Sequence, residues 1–501
     1  MLTFGEFLPD QAAYTNAGAN DAKNCLPLTN NSYGPIRSLT SYTTALSNRL
    51  QGATSAQEND GTQHTFCGDS GNLYLLGTTS FAEISKSTGA YTTATDDTWD
   101  FLQYGNRVIA VNGHTDAPQS YVMGTSSDFA DLAGSPPQAK HAAVISNFVM
   151  LGNIDDATDG VVPNRVHWSA IDNPTSWPAP GSSAAAQVQS DRQDLPNGLS
   201  VEAIIGAVGG ADGAVFMRES IYRVQYEGSP LVWSFTEVER GRGTLAGKSV
   251  VNVGPFAFYL SETGFFVFDG TGSQPVGSQK VDRYFFNDLD LNFLHRITGV
   301  ADPVRKLVIW SYPGYQNVSG TPNKLIIYNW ETQRWSYGES SVDLVFSNRS
   351  ITHTMESIND FGNLETLQTS LDDRFWVGGM FSLSAFNDSH QLATFTGEPL
   401  AATMTTTEFS GMELFKLANE RMYVNGVRPY VDGGTYTATL TYRDSPSGST
   451  SSDGPSTVDN NGMAHFTRSC RYARVTVNIA AGGTWAHAQG IDIDAVKDGQ
   501  T

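Results

Sequence analysis

Charge is scarce in this 501-residue sequence: Asp, Glu, Lys and Arg make up 16% of it, and only 30 Lys and Arg stand against 51 acidic residues. The formal net charge of -21 argues against a sequence-reading nucleic-acid binder, which carries a basic stripe. It leaves room for a surface that nucleic acid passes without sticking, because like charges repel. Cysteine is nearly absent. Cys25, Cys67 and Cys470 are odd in number and show no paired spacing, so no disulfide framework is expected; they fit reduced thiols in a chain folded in a cytoplasm. No run of 18 apolar residues occurs, so no membrane helix is expected. The opening Met1 to Asp10 lacks the basic start and apolar stretch of an export signal.

Chemical motifs are missing as well. There is no Gly-Lys-Ser/Thr phosphate loop, no dinucleotide fingerprint and no Gly-x-Ser-x-Gly elbow. Gly206 to Gly213 is glycine-rich but lies between apolar strands and reads as a hairpin turn. The nine histidines are scattered, with no pair at metal-ligand spacing beside a third ligand. Asp155, Asp156 and Asp159 with Gly160 depart from the calcium-loop pattern and read as a solvated turn. No catalytic, cofactor-binding or metal-binding residue is nominated, and enzymatic activity is not expected. Paired carboxylates for glycoside cleavage can lie far apart in sequence, so a glycan-binding or glycan-cleaving protein is the alternative.

What the sequence does have is glycine, 49 residues of it, with 11% aromatics and 40% hydrophobic residues overall. Turn formers alternating with short apolar runs describe an all-β protein. Ala214 to Val224 and Ala257 to Phe268 each read as strand, tight polar turn, strand, and Leu307 to Trp310 follows another such turn. A strand pair recurring every 40–45 residues or so has the spacing of propeller blades. The runs are continuous rather than alternating, as in strands buried on both faces. Leu73, Val108, Phe148, Ile221, Phe265 and Leu307 mark six units. The expected fold is thus an all-β β-propeller with six blades favoured. Leu325 to Tyr328 and Phe375 to Val377 either complete the last blade or add a seventh.

Around the propeller, assigned to residues 61–395, two further regions are expected. Residues 1–60 read as an extended N-terminal arm, with Phe4, Phe7 and Leu8 as anchors that could dock on a neighbour. Residues 396–501 read as a small C-terminal β-sandwich-like module with a Ser-rich surface loop from Asp444 to Asp459. One helix is expected, Val281 to His295, with Val281, Phe285, Leu289 and Phe293 on one face and Asp282, Asp288 and Asp290 toward solvent. Tyr328 to Trp335 resembles the strand-turn-Trp ending of a kelch repeat, in which Trp335 would plug the gap between blades. Ser169 to Trp177 loosely resembles the Asp-box turn of sialidase-like propellers.

A wider resemblance runs along the whole chain. Gly5-Glu-Phe-Leu-Pro-Asp-Gln11, Ala22-Lys-Asn-Cys-Leu-Pro27, Tyr33-Gly-Pro35, Ala110-Val-Asn-Gly113 with Ala117-Pro-Gln119, and Val166-His-Trp-Ser-Ala170 carry it. Val215-Phe-Met-Arg-Glu219 with Ile221-Tyr-Arg223, Gly264-Phe-Phe266, Lys280-Val-Asp-Arg-Tyr-Phe285 and Trp485-Ala-His-Ala-Gln-Gly490 continue it in order. Together they resemble the tail nozzle or tail hub proteins of short-tailed, podovirus-type phages, the tail tubular protein B-like or packaged-DNA stabilisation family. The resemblance implies a virion protein made in the host cytoplasm and assembled as a hexameric ring. It further implies contact with the head-tail adaptor ring and with tail fibre, spike or needle proteins. Such a ring extends the channel, retains the packaged genome and lets double-stranded DNA pass without sequence-specific binding. No cofactor is implied, and no membrane segment.

Overall fold

The structure is a computed structural model; it describes residues 1–498 except 13–15, 17, 88, 351–378, 380 and 416–420. Among the described residues, seven antiparallel units of four strands follow one another along the chain. Their innermost strands are Gly52–Gln57, Asp100–Tyr104, Gln138–Ile145, Val201–Val208, Val251–Val253, Thr298–Asp302 and Val342–Arg349, the first strands of blades 1 to 7. Each packs beside the next, the turn Gly247–Ser249 bridging blades 4 and 5, and Val342–Arg349 returns to Gly52–Gln57 to close the ring.

The closed ring is a seven-bladed propeller, one blade more than the favoured count. Leu325 belongs to the third strand of blade 6 and completes it. Blade 7 is assembled from both ends of the propeller sequence: Val342–Arg349, Phe381–Asn387 and Leu392–Thr394, then Thr40–Ser41 as its outer strand. The register there is Thr40 opposite Thr394 and Ser41 opposite Ala393. A closing strand of two residues carries no apolar period, so the sequence pattern does not reveal it. Phe375 to Val377 lies outside the described residues.

The continuous apolar runs fall on the middle strands. Leu307–Tyr312 is buried at every position, and Phe148–Asp156 at all but one. Outer strands such as Ala130–Asp131 are exposed. Burial on both faces selects continuous runs where one blade stacks on the next. Trp335 fills such a gap: its ring lies 5.1 Å from Phe265 of blade 5 and 4.6 Å from Tyr328 of its own blade. Its indole N–H donates to the Val276 carbonyl at 3.2 Å. Trp177 does the same between blades 2 and 3, buried beside Leu102 and Ile109, with its N–H on the Pro174 carbonyl at 2.9 Å.

The expected N-terminal arm is instead part of a sandwich built from both chain ends. The outer strand of blade 6, Arg334–Glu339, pairs in parallel with Asp21–Lys23. That sheet continues through Ala402–Thr405, Tyr472–Ile479, Tyr436–Arg443 and Ser451–Thr457. A second sheet joins Cys25–Thr29 and Ser32–Pro35 to Ala488–Lys497, Met422–Val431 and Ala464–Cys470. Val424, Leu440, Phe466, Val475 and Trp485 share one buried cluster with Phe4 and Phe7, continuous with the blade 6 aromatics. The N-terminal strands are two to five residues long; Cys25–Thr29 buries Cys25 and Leu26, while Asp21–Lys23 and Ser32–Pro35 are recruited by backbone pairing rather than by an apolar stretch of their own. The Ser-rich segment is exposed, yet half of it is the edge strand Ser451–Thr457 rather than loop.

The single expected helix is two pieces, Asp282–Asp288 and the 3-10 turn Leu291–Arg296. Leu289 is extended between them; the Asp290 N–H turns to the Pro313 carbonyl at 3.0 Å, and the Asp290 carboxylate accepts from the Asn292 N–H at 3.0 Å. Asp282 does not face solvent. It is buried and accepts from the Phe265 N–H at 3.1 Å.

Candidate functional site

The residues just before and at the start of the innermost strands gather round the propeller axis, on what is here termed the upper face. From there a cavity of about 730 Å³ runs along the axis, lined mainly from blades 5, 6, 7 and 1, and a smaller one of about 260 Å³ is lined from blades 2 to 6. The two adjoin at Thr98, Lys248 and His295, which line both.

Between them stands an ion pair that crosses the ring. Lys248 Nζ, from the turn before blade 5, lies 3.0 Å from Asp100 Oδ1 at the start of blade 2. Asp100 Oδ2 also accepts the Ala142 N–H at 3.3 Å and faces His141 Nδ1 at 3.7 Å, both on blade 3. Burial alone would raise the Asp100 carboxyl, but Lys248 and His141 outweigh it and hold the group well below the usual carboxylate range. Gly247 lets Lys248 reach this point: a Cβ there would meet the Glu202 carbonyl oxygen at 1.9 Å. Three blades are therefore tied across the axis by one carboxylate.

The larger cavity is cationic at its upper rim. Arg49 donates to the Thr95 carbonyl at 3.1 Å, and Arg296 to the Ser319 carbonyl at 2.8 Å. Burial and the neighbouring Arg296 charge pull the Arg49 guanidinium down to about 10; burial also lowers Arg296. Asp343, the carboxylate lining this cavity, is occupied by the Leu50 N–H at 3.3 Å and His390 Nδ1 at 2.5 Å. Neither the axial ion pair nor this rim was anticipated. Arg49, Asp100, Lys248, His295 and Arg296 belong to four different blade approaches and share no local motif. Their common signal is positional, each lying at or just ahead of an innermost strand.

The expected assembly anchors lie elsewhere. Phe4, Phe7 and Leu8 are buried in the chain's own core. Phe7 stacks edge-on against Tyr284 at 5.5 Å and near Tyr337 at 5.4 Å. Around them four of the quoted segments meet, while those in blades 2, 3 and 4 lie elsewhere. Lys280 Nζ meets Glu6 at 2.6 Å, and the Asp10 carboxylate accepts from the backbone N–H groups of Arg283 and Tyr284 at 2.9 and 2.8 Å. Tyr33 pairs with Ala488, and the Phe4 N–H donates to the Gln489 carbonyl at 2.9 Å. The buried Arg334 gathers the carbonyls of Phe4, Gly5 and Thr29 at 3.0, 2.7 and 2.7 Å, with its guanidinium 4.3 Å from the Tyr33 ring centre.

The aspartate turn is an ion-pair network. Arg165 contacts Asp159 and Asp194 at 2.5 Å each, and Arg192 binds Asp156 and Asp159. No group of three potential metal-ligating residues forms a metal-holding cluster among the described residues, and no described helix is long and apolar enough to cross a membrane.

Comparison with protein-family models and with curated proteins gives no match. Among solved structures the chain is similar to a functionally unknown protein from Desulfotomaculum acetoxidans DSM 771, at 13% identity and TM-score 0.36 over 61% of this chain and 90% of that one. It is similar to the Neurospora crassa Pan2 WD40 domain at 7% identity and TM-score 0.39, covering 72% and 95%. A fungal alcohol oxidase in complex with copper follows at 9% identity and TM-score 0.42, covering 93% and 99%. At these scores the likenesses carry no argument about function; the propeller rests on its seven closed blades.

Proposed function

We propose that this chain is a structural subunit of a short-tailed phage tail. Copies of it form a homo-hexameric ring below the portal and adaptor that extends the DNA channel, retains the packaged genome and allows its ejection. The observation that supports this most is the convergence of four of the resemblance-bearing segments. Gly5 to Gln11, Tyr33 to Pro35, Lys280 to Phe285 and Trp485 to Gly490 are far apart in sequence yet meet at one junction of propeller, N-terminal strands and sandwich. A shared set of motifs with a shared structural purpose is a stronger link than motifs scattered over a surface.

Two physical points bear on the mechanism. The Lys248–Asp100 pair across the axis leaves no path for a duplex through a single propeller, so the conduit runs between copies. A duplex carries about one negative charge per 1.7 Å of axis, and a chain of net charge -21 suits a lining that repels rather than grips it. The channel wall is accordingly neutral and acidic, and heterologous contacts close the ring.

The axial cavity favours a second reading, a ligand-binding propeller. Native mass spectrometry of the purified protein, with cryo-electron microscopy of particles from its source, separates the two. The ring reading expects six-fold density at the tail with no continuous belt of Lys and Arg facing the channel. A monomer or dimer within assembled particles, or absence from them, rejects it.

A further inference from the structure

The upper rim of the larger axial cavity holds two arginines without a carboxylate partner. Among the described residues neither Arg49 nor Arg296 makes an ion pair, although acidic residues outnumber basic ones 51 to 30 in the sequence. Each guanidinium spends one hydrogen bond on a backbone carbonyl, from Arg49 to Thr95 and from Arg296 to Ser319, out of five N–H donors. Arg296 Nε is buried with no hydrogen-bond partner, as is Nε2 of the adjacent His295. The Asp343 and Asp96 charges reach both arginines through space, but among the described residues no carboxylate contacts either guanidinium. Asp343 is held by Leu50 and His390, Asp97 by Lys140 at 2.6 Å, and Asp100 by Lys248; Asp96 is mostly exposed and lies 3.7 Å from His295.

Like charges brought together in partly buried surroundings repel, and buried donors without acceptors cost free energy. A bound anion removes both penalties at once. It brings negative charge into contact and accepts from the spare guanidinium donors, in the planar fork geometry that arginine offers to phosphate and carboxylate. Phe293, whose ring centre lies 4.8 Å from the Arg296 guanidinium carbon, holds that fork in place. The adjoining cavity of about 730 Å³ falls in the range of small-molecule sites.

We propose that the upper end of the propeller axis binds a small anionic ligand through a phosphate or carboxylate group held between Arg49 and Arg296, with His295 alongside. The site lies on the axis of a single propeller, away from the junction of N-terminal strands and sandwich, so it stands independently of the ring reading. Burial and the two arginine charges keep His295 on the low side of its ordinary range, with Asp96 opposing, so the free site presents a neutral imidazole beside two cations.

Isothermal titration calorimetry of the full chain with inorganic phosphate, and separately with D-glucuronate, tests this. Binding of at least one anion is expected, at one site per chain. Arg49→Gln and Arg296→Gln should each weaken it about tenfold or more, the scale of a lost charge-assisted hydrogen bond. Arg240→Gln, at a surface arginine paired with Glu237, should leave it unchanged. Preference for phosphate points to a phosphorylated ligand, preference for glucuronate to an acidic sugar. Where the glutamine variants fail to fold, Arg296→Lys keeps the charge but loses the fork and should still weaken binding, and a phosphate-soaked crystal should show the anion between the two arginines. Absence of binding by both anions at millimolar concentration overturns the proposal. So does binding indifferent to Arg49 and Arg296, or an anion located elsewhere.

Discussion

Asp100 and Lys248, 148 positions apart, meet at 3.0 Å across the propeller axis and join blade 2 to the approach of blade 5. Packing of the innermost strands holds neighbouring blades together; this pair holds opposite sides together. Both side chains are about three-quarters buried, so the attraction is screened less than at a surface while desolvation takes back part of it. A double-mutant cycle with Asp100→Ala and Lys248→Ala, read by urea unfolding, should give a coupling of about 1–2 kcal/mol. Asp100→Ala should cost more than Lys248→Ala, because it also strands the Ala142 N–H and removes the acceptor facing His141. Additive single mutants would show that the pair is solvent-separated.

Arg334 gathers three carbonyls from two N-terminal turns and faces the Tyr33 ring. It thereby ties the first strands of the chain to the outer edge of blade 6. Arg334→Lys keeps the charge but cannot reach three acceptors, so a loss of about 2–4 kcal/mol is expected. Phe7→Ala, which empties a fully buried site between Tyr284 and Tyr337, should cost about 3–5 kcal/mol. Both are read by thermal or urea unfolding of the isolated chain. If Phe7→Ala left stability intact and impaired only assembly, the side chain would be serving a neighbouring copy after all.

The repeat was legible because middle blade strands such as Leu307–Tyr312 are buried on both faces and must be apolar throughout. The choice of seven blades over six was not, because the seventh blade's outer strand is two residues from a distant, polar stretch. The N-terminal strands were misread as an arm for the same reason: Asp21–Lys23 and Ser32–Pro35 are chosen by the edges they complete, and backbone pairing leaves little mark on composition. Trp335 could be placed because a Trp after a tight turn is a local signal. The axial residues could not, since Arg49, Asp100, Lys248 and Arg296 come together only through ring closure.

Ring closure makes a prediction of its own. The Tyr42 N–H donates to the Leu392 carbonyl at 3.1 Å, and Thr43 Oγ1 accepts from the Leu392 N–H at 2.9 Å. Tyr42→Pro removes a donor from this short seam and should destabilise the fold by about 1–3 kcal/mol. A chain beginning after residue 47 loses the closing strand, together with all four N-terminal strands of the sandwich; it should be insoluble or lose its cooperative unfolding transition. A truncated chain that unfolds as cooperatively as the whole one would show that Thr40–Ser41 is dispensable.

Asp282 supplies a pH-dependent term whose sign is fixed by burial. Its carboxylate sits against Gly264 and Gly277, where a Cβ would fall 2.2 and 2.0 Å from its oxygens, and it accepts the Phe265 N–H. Burial raises its pKa to about 6, outweighing that hydrogen bond, and the Asp10 charge adds to the rise. Between pH 4 and about 6 the folded state therefore holds a proton that the unfolded state has released, and stability from this group falls as pH rises through that window. His167 contributes the opposite slope there: burial, reinforced by Arg192, lowers it to about 4, so its share is lost as pH falls from the ordinary histidine value toward 4. The difference between wild type and Asp282→Asn cancels the His167 contribution. Asparagine keeps an acceptor for the Phe265 N–H and cannot ionise. The variant should match wild type near pH 4 and exceed it by about 1–2 kcal/mol at pH 7, after allowance for partial solvent access. Urea unfolding at several pH values reads this directly. A difference that stays constant from pH 4 to about 7 would mean that the Asp282 carboxylate ionises in the fold as freely as in the open chain.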